Sequence, residues 1–317
     1  MNIYKAVLVL LIFVSCENAV ENKPIIKKEL SVVIAKSNVG PVNDVAVFGG
    51  TPIAAWGGFS NFVKLFPSRT LKDHIGYINA VEFSPDGQIL ASGSSDHNIK
   101  LWDVKTEKLL RTFSEHLSAT WALVFTADGK SIITGQDRNV VLWRNAAGGQ
   151  IGKLAMLGHT STILTVAISA DSKKILSGSR DKTIKIWNAD TGELLKDIPN
   201  MMSNVNALNC HPTLSTFISS GSNSKILIWN LNDYSLTDSI STDGGEIYSL
   251  IFHPSGKYIA SAGSNGNIYI FSYNDKTLLR VLEGHSKIVK SIKFNREGTI
   301  LISGSYDETV RIWSNIF

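Results

Sequence analysis

An aromatic residue returns every 41 to 44 residues along most of this chain of 317 residues. These positions are Trp102, Trp143, Trp187, Trp229, Phe271 and Trp313. An Asp or Asn lies six residues before each of them, and a glycine lies eight or nine residues before each. Self-similarity at this period indicates one repeated supersecondary unit, which buries its apolar face only by stacking on its neighbours. The sequence therefore predicts one closed array of units, an architecture more typical of scaffolds than of catalysts.

Each unit contains short runs of β-branched and other apolar residues that predict strands. In the second unit these runs are residues 78–83, 89–92 and 99–103, followed by a weaker run at residues 108–113. The sequence Ser-Pro-Asp-Gly at residues 84–87 separates the first two runs and is typical of a tight hairpin. No long segment after residue 30 shows helical periodicity. An all-β fold with four antiparallel strands per unit is therefore predicted.

The second unit is the fullest copy of the repeat. It contains the Ser-Pro-Asp-Gly turn, Ser92-Gly93-Ser94, Asp96 and the pair Trp102-Asp103. Gly158-His159 and Gly284-His285 lie at two boundaries between units. These motifs, which recur over residues 30–317, resemble those of the WD-repeat (G-beta-like) family. The resemblance implies a β-propeller in which each repeat forms one four-stranded blade.

Counting the units predicts a seven-bladed β-propeller. A degenerate first unit, residues 42–48, 52–56 and 62–66, precedes the six marked units, and Phe66 takes the position of the Trp. Phe66 lies only 36 residues before Trp102, so this unit is predicted to have lost part of a loop or strand. The last unit ends four residues after Trp313 and lacks its fourth strand. Residues 30–36 are predicted to complete that blade, which would remove an open sheet edge.

The first residues have the composition of an export signal. Residues 1–5 include the positively charged Lys5, and residues 6–14 form an unbroken apolar run. As a helix this run would span about 14 Å, too short for a bilayer core of about 30 Å. A positive region followed by a short apolar region is instead typical of a secretory signal peptide. A buried strand or helix of the domain is the alternative.

Residues 13–16, Phe-Val-Ser-Cys, resemble a bacterial lipobox. The resemblance implies that residues 1–15 are removed as a lipoprotein-type signal, that Cys16 carries the lipid, and that residues 16–29 form a tether. Two or three acyl chains would anchor firmly, since each buried methylene contributes about 0.8 kcal/mol. Cleavage by an ordinary signal peptidase is the alternative. Glu17 resembles the pattern of lipoproteins that leave the inner membrane, so a bacterial envelope location, the outer membrane rather than the inner, is predicted.

Four units combine a His, a Ser or Thr, an Asp and a Trp. These sets are His74, Ser92, Asp96 and Trp102; His116, Thr134, Asp137 and Trp143; His159, Ser177, Asp181 and Trp187; and His285, Ser303, Asp307 and Trp313. One Ser–His–Asp set would suggest a hydrolase, but an enzyme needs one exposed nucleophile rather than similar copies in several repeats. The WD-repeat resemblance implies a buried structural network, in which Asp accepts from His, His bonds the hydroxyl and the hydroxyl reaches the Trp indole.

Units five and six have lost this set. Met201 and Asp243 replace the His, and Asn223 and Asn265 replace the Asp. We expect apolar packing to contribute more to the stability of these two blades.

Bulk properties argue against several kinds of site. The net charge of +4 is small and scattered, whereas a nucleic-acid surface needs a clustered basic stripe. His211 and His253 lie in neighbouring strand-linking turns, but no further ligand accompanies them, so no metal or other cofactor is predicted. Cys210 aligns with phenylalanines of other units and is predicted to be a buried strand thiol.

Partners of WD-repeat propellers usually dock where the first strands begin and where the loops precede the turn Asp. Carrying these positions over gives the candidate partner-binding rim Tyr77, Asn79, Trp121, Arg180, Glu246, Tyr248, Lys290 and Tyr306. The same alignment places Asp44 and Gln136 on the rim. Aromatic and Arg residues are favoured at interface hot spots, which supports a binding role. The alternative is that each side chain merely fills the wall of the channel.

The sequence thus favours a non-enzymatic, monomeric propeller that binds other proteins as a scaffold and reaches a membrane only through its lipid anchor. A module that binds a peptide or glycan at the central channel is the alternative. An intracellular scaffold is expected if the signal is not processed. A fold match does not name the partner, because function lies in the site rather than in the fold.

Overall fold

The computed structural model describes residues 30–49, 53–114, 118–146, 148–199 and 201–317. All regular secondary structure in these ranges is β, with 28 strands in seven four-stranded antiparallel sheets. The described ranges contain no helix long and apolar enough to cross a membrane. The predictions for residues 1–29, including Cys16, the signal and the tether, lie outside the described residues. The predicted all-β fold with seven four-stranded blades is confirmed.

Each blade follows the chain from the channel outward. Blade 1 consists of β2 (Val42–Phe48), β3 (Ile53–Gly58), β4 (Phe62–Leu65) and β5 (Arg69–Lys72). Blade 2 consists of β6 (Ile78–Phe83), β7 (Ile89–Ser94), β8 (Ile99–Asp103) and β9 (Leu109–Phe113). Blade 3 consists of β10 (Thr120–Phe125), β11 (Ile132–Gln136), β12 (Asn139–Arg144) and β13 (Gly152–Leu157). Blade 4 consists of β14 (Ile163–Ile168), β15 (Lys174–Ser179), β16 (Ile184–Asn188) and β17 (Leu194–Ile198).

The remaining three blades keep the same order. Blade 5 consists of β18 (Val205–Cys210), β19 (Thr216–Gly221), β20 (Lys225–Asn230) and β21 (Leu236–Ser241). Blade 6 consists of β22 (Ile247–Phe252), β23 (Tyr258–Gly263), β24 (Ile268–Ser272) and β25 (Leu278–Leu282). Blade 7 consists of β26 (Val289–Phe294), β27 (Ile300–Ser305), β28 (Thr309–Ser314) and, from the other end of the domain, β1 (Ser31–Lys36).

Strand β1 closes the ring. It pairs antiparallel with β28 over its whole length, from Ser31 opposite Ser314 to Lys36 opposite Thr309. The predicted completion of the last blade is therefore confirmed. Because β1 covers β28, the last and first parts of the domain are fastened by backbone hydrogen bonds rather than by side-chain packing alone.

Blade 1 is shortened, as its spacing predicts. It keeps all four strands, so the shortening lies in its loops and in the four-residue lengths of β4 and β5. Backbone pairing puts Trp56 opposite Val45, where blade 2 has Ser92 opposite Val81. The Trp56 indole donates to the Ser37 carbonyl at 2.8 Å. In this blade an indole therefore replaces the small hydroxyl residue and ties the strand to the segment that follows β1.

The hydrophobic core consists of layers between neighbouring blades. One layer joins Val63 and Leu65 of blade 1 to Val81, Leu90 and Trp102 of blade 2. Comparable buried clusters follow around the ring, and the one that contains Val42 and Val310 joins blades 7 and 1. Each blade can bury its faces only against two neighbours, so the core is continuous only when the ring is closed.

The repeated glycine permits the close approach of these layers. A Cβ at Gly178 would lie 2.4 Å from Val205 Cγ1, and one at Gly304 would lie 2.5 Å from Val42 Cγ1. In both cases the clashing residue begins the innermost strand of the next blade. Side chain-to-backbone bonds reinforce the same contact, as where the Leu208 amide donates to Thr165 Oγ1 at 3.2 Å.

We expect a chain that begins at residue 37 to be less stable than one that begins at residue 30, because removal of β1 leaves the edge of β28 unpaired. Its melting temperature should fall, and light scattering should detect association through the exposed edge. Equal melting temperatures and a monomeric truncated chain would contradict the closing role of β1.

Candidate functional site

Every innermost strand carries a β-bulge at the same place. The pairing with the second strand skips one residue in each blade, and these residues are Asn43, Asn79, Trp121, Leu164, Asn206, Tyr248 and Lys290. All of them line one cavity at the entrance of the channel. A bulge leaves one residue unpaired and redirects its side chain, a device often found beside binding sites. We call these residues the mouth ring.

Residues in the turn after the second strand of several blades extend the wall of this cavity. Phe59, Ser95, Arg180 and Tyr306, which follow the second strand of their blades, line it together with Tyr77. The cavity volume is about 480 Å³. This volume falls within the range of about 300–1,000 Å³ that is usual for ligand sites.

The structure brings most of the predicted rim together. Tyr77, Asn79, Trp121, Arg180, Tyr248, Lys290 and Tyr306 all line the one cavity. Glu246 does not line it but accepts a hydrogen bond of 2.8 Å from the Tyr248 hydroxyl. Asn79 is buried, and its amide donates to Ser95 Oγ at 3.0 Å. These contacts hold the side chains in place, and partner binding by the rim stays a prediction.

The strand register of blade 1 shifts one rim assignment, Asp44, and adds one residue, Phe59. Val42 lies opposite Gly58 as Ile78 lies opposite Ser94, so Asn43 and not Asp44 occupies the mouth ring. The same register makes Phe59 the equivalent of Ser95, and sequence reasoning missed it. Aligning Gly57 with Gly93 would have found Phe59, because Gly57 precedes Phe59 by two residues just as Gly93 precedes Ser95.

Three aromatic residues form an exposed apolar surface beside the cavity. The Phe59 ring stacks on Tyr77 with centroids 5.2 Å apart, and Tyr306 meets Phe59 edge-on at 5.7 Å. Phe59 and Tyr77 are 47% and 54% exposed. We call Phe59, Tyr77 and Tyr306 the aromatic shelf. Phe59 and Tyr77 come from the consecutive blades 1 and 2, whereas Tyr306 of blade 7 reaches Phe59 only because the ring is closed.

The opposite part of the mouth is polar. Glu246 Oε1 accepts from Ser222 Oγ at 2.6 Å and from the Asn206 amide at 2.9 Å. Although burial opposes ionisation, these bonds and the one from Tyr248 lower the pKa of Glu246. Burial and the nearby Glu246 carboxylate raise the pKa of Tyr248 to about 12, so its hydroxyl remains a donor at neutral pH. Lys290 Nζ lies 4.2 Å from the centre of the Tyr248 ring.

A charged cluster lies deeper in the channel. Lys293 Nζ donates to Glu82 Oε2 at 2.6 Å, linking blades 7 and 2 across blade 1. Asp44 accepts from Ser291 Oγ at 2.5 Å and from the Val81 amide at 2.9 Å. Burial opposes the charge of Lys293, but the Glu82 and Asp44 carboxylates outweigh it and raise the pKa of this amine. The cluster is internally paired and therefore joins blades rather than offering free charge.

The predicted polar networks form in blades 2, 4 and 7. In blade 4, the Trp187 indole donates to Ser177 Oγ at 2.9 Å, and Ser177 Oγ lies 2.8 Å from His159 Nε2. His159 Nδ1 lies 2.8 Å from Asp181. The same contacts measure 2.7 to 2.8 Å among His74, Ser92, Asp96 and Trp102 in blade 2 and among His285, Ser303, Asp307 and Trp313 in blade 7.

The chemistry of these networks is structural. Since Asp accepts only, the His Nδ1 carries the proton, Nε2 accepts from Ser, and Ser accepts from Trp. Burial lowers the pKa of His159, and the Asp181 contact only partly offsets this effect. Ser92, Ser177 and Ser303 are 0% exposed, so no substrate reaches their hydroxyls. These residues therefore satisfy buried polar atoms in place of acting as nucleophiles.

Blade 3 departs from the predicted network. Thr134 Oγ1 accepts from Gln136 Nε2 at 2.8 Å and from the Trp143 indole at 3.1 Å, and it donates to Val141 O. Its bonding capacity is thus filled without a histidine. The β11–β12 turn is one residue shorter than that of blade 2, so Asp137 is exposed and pairs with Arg138 at 3.7 Å.

The placement of Asp137 in a buried network and of Gln136 on the rim was therefore wrong. His116 lies outside the described residues. The spacing of nine residues between Thr134 and Trp143, instead of ten between Ser92 and Trp102, was the signal in the sequence.

Blades 5 and 6 keep only parts of the network. In blade 5 the Trp229 indole still donates to Ser219 Oγ at 2.9 Å, and Met201 packs against the cluster that contains Trp229. In blade 6, Asn265 Nδ2 donates to the Tyr269 hydroxyl at 2.6 Å. Phe271 of this blade lies in a buried apolar cluster.

The remaining candidate ligands have structural surroundings. His211 Nε2 lies 3.1 Å from the Gly256 carbonyl of the next blade, and His253 Nε2 lies 3.0 Å from that of Gly298. Within the described ranges no three His, Cys, Asp or Glu residues are grouped as a metal site would require. Cys210 borders the channel cavity, and burial raises its pKa to about 12, which keeps the thiol protonated.

Comparison with known families finds the same repeat. The family model described as WD domain, G-beta repeat matches residues 65–103, 107–144, 151–188, 235–272 and 276–314. These segments make up more than half of the chain and cover the three inner strands of blades 2, 3, 4, 6 and 7. Each segment also includes the outermost strand of the preceding blade, so the match to blades 1 and 5 is confined to their outer parts.

Several curated proteins are similar over part of the chain. A WD repeat domain-containing protein 83 homolog of Dictyostelium discoideum is 33% identical over 129 residues, which are 41% of this chain and 39% of that protein. An uncharacterized WD repeat-containing protein of Synechocystis is 31% identical over 145 residues, 45% of this chain and 41% of that protein. A guanine nucleotide-binding protein subunit beta of Oryza sativa subsp. indica is 30% identical over 129 residues, 38% of this chain and 34% of that protein. The chain thus spans less than half the length of each of these relatives.

We expect Asp181→Ala to lower the free energy of unfolding by about 1–3 kcal/mol, the cost of leaving buried donors unpaired. The Asp181 carboxylate accepts from the Thr160 and Thr183 amides as well as contacting His159. Asn265→Ala is the matched control, because it removes the corresponding but exposed residue of blade 6. Thermal or urea unfolding measures both. Equal destabilisation would argue against the network.

We expect stability to fall as the pH is lowered from 7.5 to 5.5. Burial lowers the pKa of His74, His159 and His285 below 6.5. A depressed histidine pKa contributes stability that is fully present above the ordinary value and lost as the pH falls below it. Melting temperatures across this range test the direction. His159→Asn should reduce the pH dependence, whereas His97→Asn, at an exposed position, should preserve it.

Proposed function

Because the chain belongs to the WD-repeat family of G-beta-type propellers, whose members are generally protein-interaction scaffolds, we propose that it is a non-enzymatic scaffold whose protein partner docks at the channel mouth. The convergence of aromatic and cationic side chains on one cavity carries this proposal. Tyr, Trp and Arg dominate the binding energy of protein interfaces because they bury a large area around fixed polar atoms.

The exposure of these side chains supports the proposal. Trp121 is 41% exposed and Tyr77 is 54% exposed. Exposed large aromatic groups that cluster around a concavity mark a partner site more often than a structural surface. The buried Ser–His–Asp networks offer no competing catalytic site, since their hydroxyls are inaccessible.

The scaffold is further proposed to be exported and anchored to a bacterial envelope membrane through lipid on Cys16. The support for this part is the sequence alone, namely the short apolar segment before residue 15 and the lipobox-like residues 13–16. Strand β1 begins at Ser31, so a lipid on Cys16 would connect to blade 7 through the tether. An intracellular scaffold is the alternative if the segment is retained.

The double variant Trp121→Ala with Tyr248→Ala should lose partners that the unmodified protein retains after crosslinking in the native envelope. The physical reason is the loss of the two largest bulge side chains of the mouth ring. Quantitative mass spectrometry of captured proteins is the measurement. Leu194→Ala is the control, because Leu194 is similarly exposed at 41% but lies on the outer strand β17. Retention of every partner by the double variant would remove the proposal.

Cys16→Ser should release the protein from membranes into the soluble fraction, because the acyl chains supply the affinity. Fractionation and mass spectrometry of the mature N-terminus measure this outcome. A mature chain that starts with a lipid-modified Cys16 is expected. An unprocessed Met1 would contradict the envelope location and favour the intracellular alternative, while leaving the docking site untouched.

A further inference from the structure

Two cationic side chains, Arg180 and Lys290, line the cavity at the channel mouth. Arg180 reaches the cavity from blade 4, and Lys290 reaches it from blade 7. Among the described residues, neither side chain forms a hydrogen bond or an ion pair, and Lys290 rests only on the Tyr248 ring. Burial lowers the pKa of Lys290 and the positive charge of Arg180 adds to this effect, while the Glu246 and Asp44 carboxylates oppose it. Like charges held together in a half-buried cavity favour the binding of an anion.

The surrounding charges indicate how much negative charge the mouth accepts. Glu246 is the carboxylate that affects Lys290 most strongly, and its oxygens accept hydrogen bonds from Ser222, Asn206 and Tyr248. Counting Arg180, Lys290 and Glu246, the mouth carries one net positive charge. The deeper cluster of Lys293, Glu82 and Asp44 is internally paired and offers no further positive charge. A singly charged carboxylate therefore fits the mouth better than a phosphate group.

The aromatic shelf supplies an apolar surface to the same cavity. Phe59 and Tyr77 are stacked, so their faces are held in fixed positions without a ligand. Their exposed areas continue beyond the cavity, as does Ile75, which is 86% exposed two residues before Tyr77. A surface that extends from a cavity onto the outer face suits an extended chain better than a small molecule.

Building on the proposed scaffold function, we propose that the channel mouth binds a peptide segment of the partner in which an Asp or Glu adjoins an aromatic or large aliphatic residue. The carboxylate lies between Arg180 and Lys290, and the apolar side chain lies against Phe59 and Tyr77. Arg180 supplies paired donors of fixed geometry, whereas Lys290 acts as a point charge steadied by the Tyr248 ring.

Random dodecapeptides displayed on phage provide an unbiased probe. Selection against the full chain should enrich Asp or Glu next to Phe, Tyr, Trp, Leu or Ile. Synthetic peptides with selected sequences are then compared by calorimetry with versions in which Gln replaces Glu, Ala replaces the apolar residue, or phosphoserine replaces Glu. The first two changes should each weaken binding about tenfold, as loss of a charge-assisted bond or of an aromatic contact predicts. The phosphoserine peptide should bind no better than the Glu peptide.

Variants of the protein connect the affinity to named residues. Arg180→Gln and Lys290→Gln should each weaken the Glu peptide about tenfold while leaving the Gln peptide unchanged. Lys290→Arg should restore most of the affinity. Lys182→Gln is the charge-matched control, because Lys182 is exposed two residues from Arg180 and does not line the cavity. Phe59→Ala should remove the preference for the large apolar residue.

Selection without acidic residues, equal binding of Glu and Gln peptides, or tighter binding of phosphoserine would overturn the proposal. Full affinity in Arg180→Gln would do so as well, and its folding is not in question because the side chain is exposed. The outcome is separable from that of the scaffold proposal. If captured partners depend on Trp121 and Tyr248 but not on Arg180, the scaffold function stands and the carboxylate chemistry fails.

Discussion

The structure depends on the constraint that each blade can bury its two faces only against its neighbours. A single four-stranded sheet of this composition has no other place for its apolar side chains. Blades must therefore stack one on another until the last packs against the first. Strand β1 closes the ring by pairing with β28, which lies near the other end of the domain. The contact of Gly304 with Val42 then joins the last blade to the first at the channel. Closure thus sets both the stability of the core and the geometry of the mouth.

Polar networks solve a second problem, which is the burial of hydrogen-bonding side chains between layers. Blades 2, 4 and 7 use the same chain of donors and acceptors from Trp to Asp. Blade 3 solves it with Gln136 because its turn is one residue shorter. Blade 1 places Trp56 there and bonds the indole to Ser37. Different residues therefore satisfy the same requirement, and the enzyme-like appearance of the sets follows from burial rather than from catalysis.

Much of the fold could be predicted because all motifs of one blade lie within about forty consecutive residues. The period, the hairpin turns and the unpaired segment before blade 1 were sufficient for the number of blades and for the closing strand. The errors arose where one residue was inserted or lost, at Asp44 and at Asp137, because a shift of one residue in a strand or turn redirects a side chain. The rim residues were predicted as a ring of positions, but Phe59 was missed in the degenerate blade.

The sequence by itself determined the repeated blade, its core residues and the three His–Ser–Asp–Trp networks, because these contacts form within one unit or with its nearest neighbour. Only the tertiary structure decided which side chains share the mouth. Arg180 and Lys290 are separated by more than two repeats, and Phe59 and Tyr306 lie near opposite ends of the domain. A bulge redirects the Lys290 side chain, the other three residues follow the second strands of their blades, and ring closure brings distant repeats around one opening. The period of the sequence reflects contacts within one repeat or with its neighbour, whereas the site is formed by side chains from repeats that are distant in the chain.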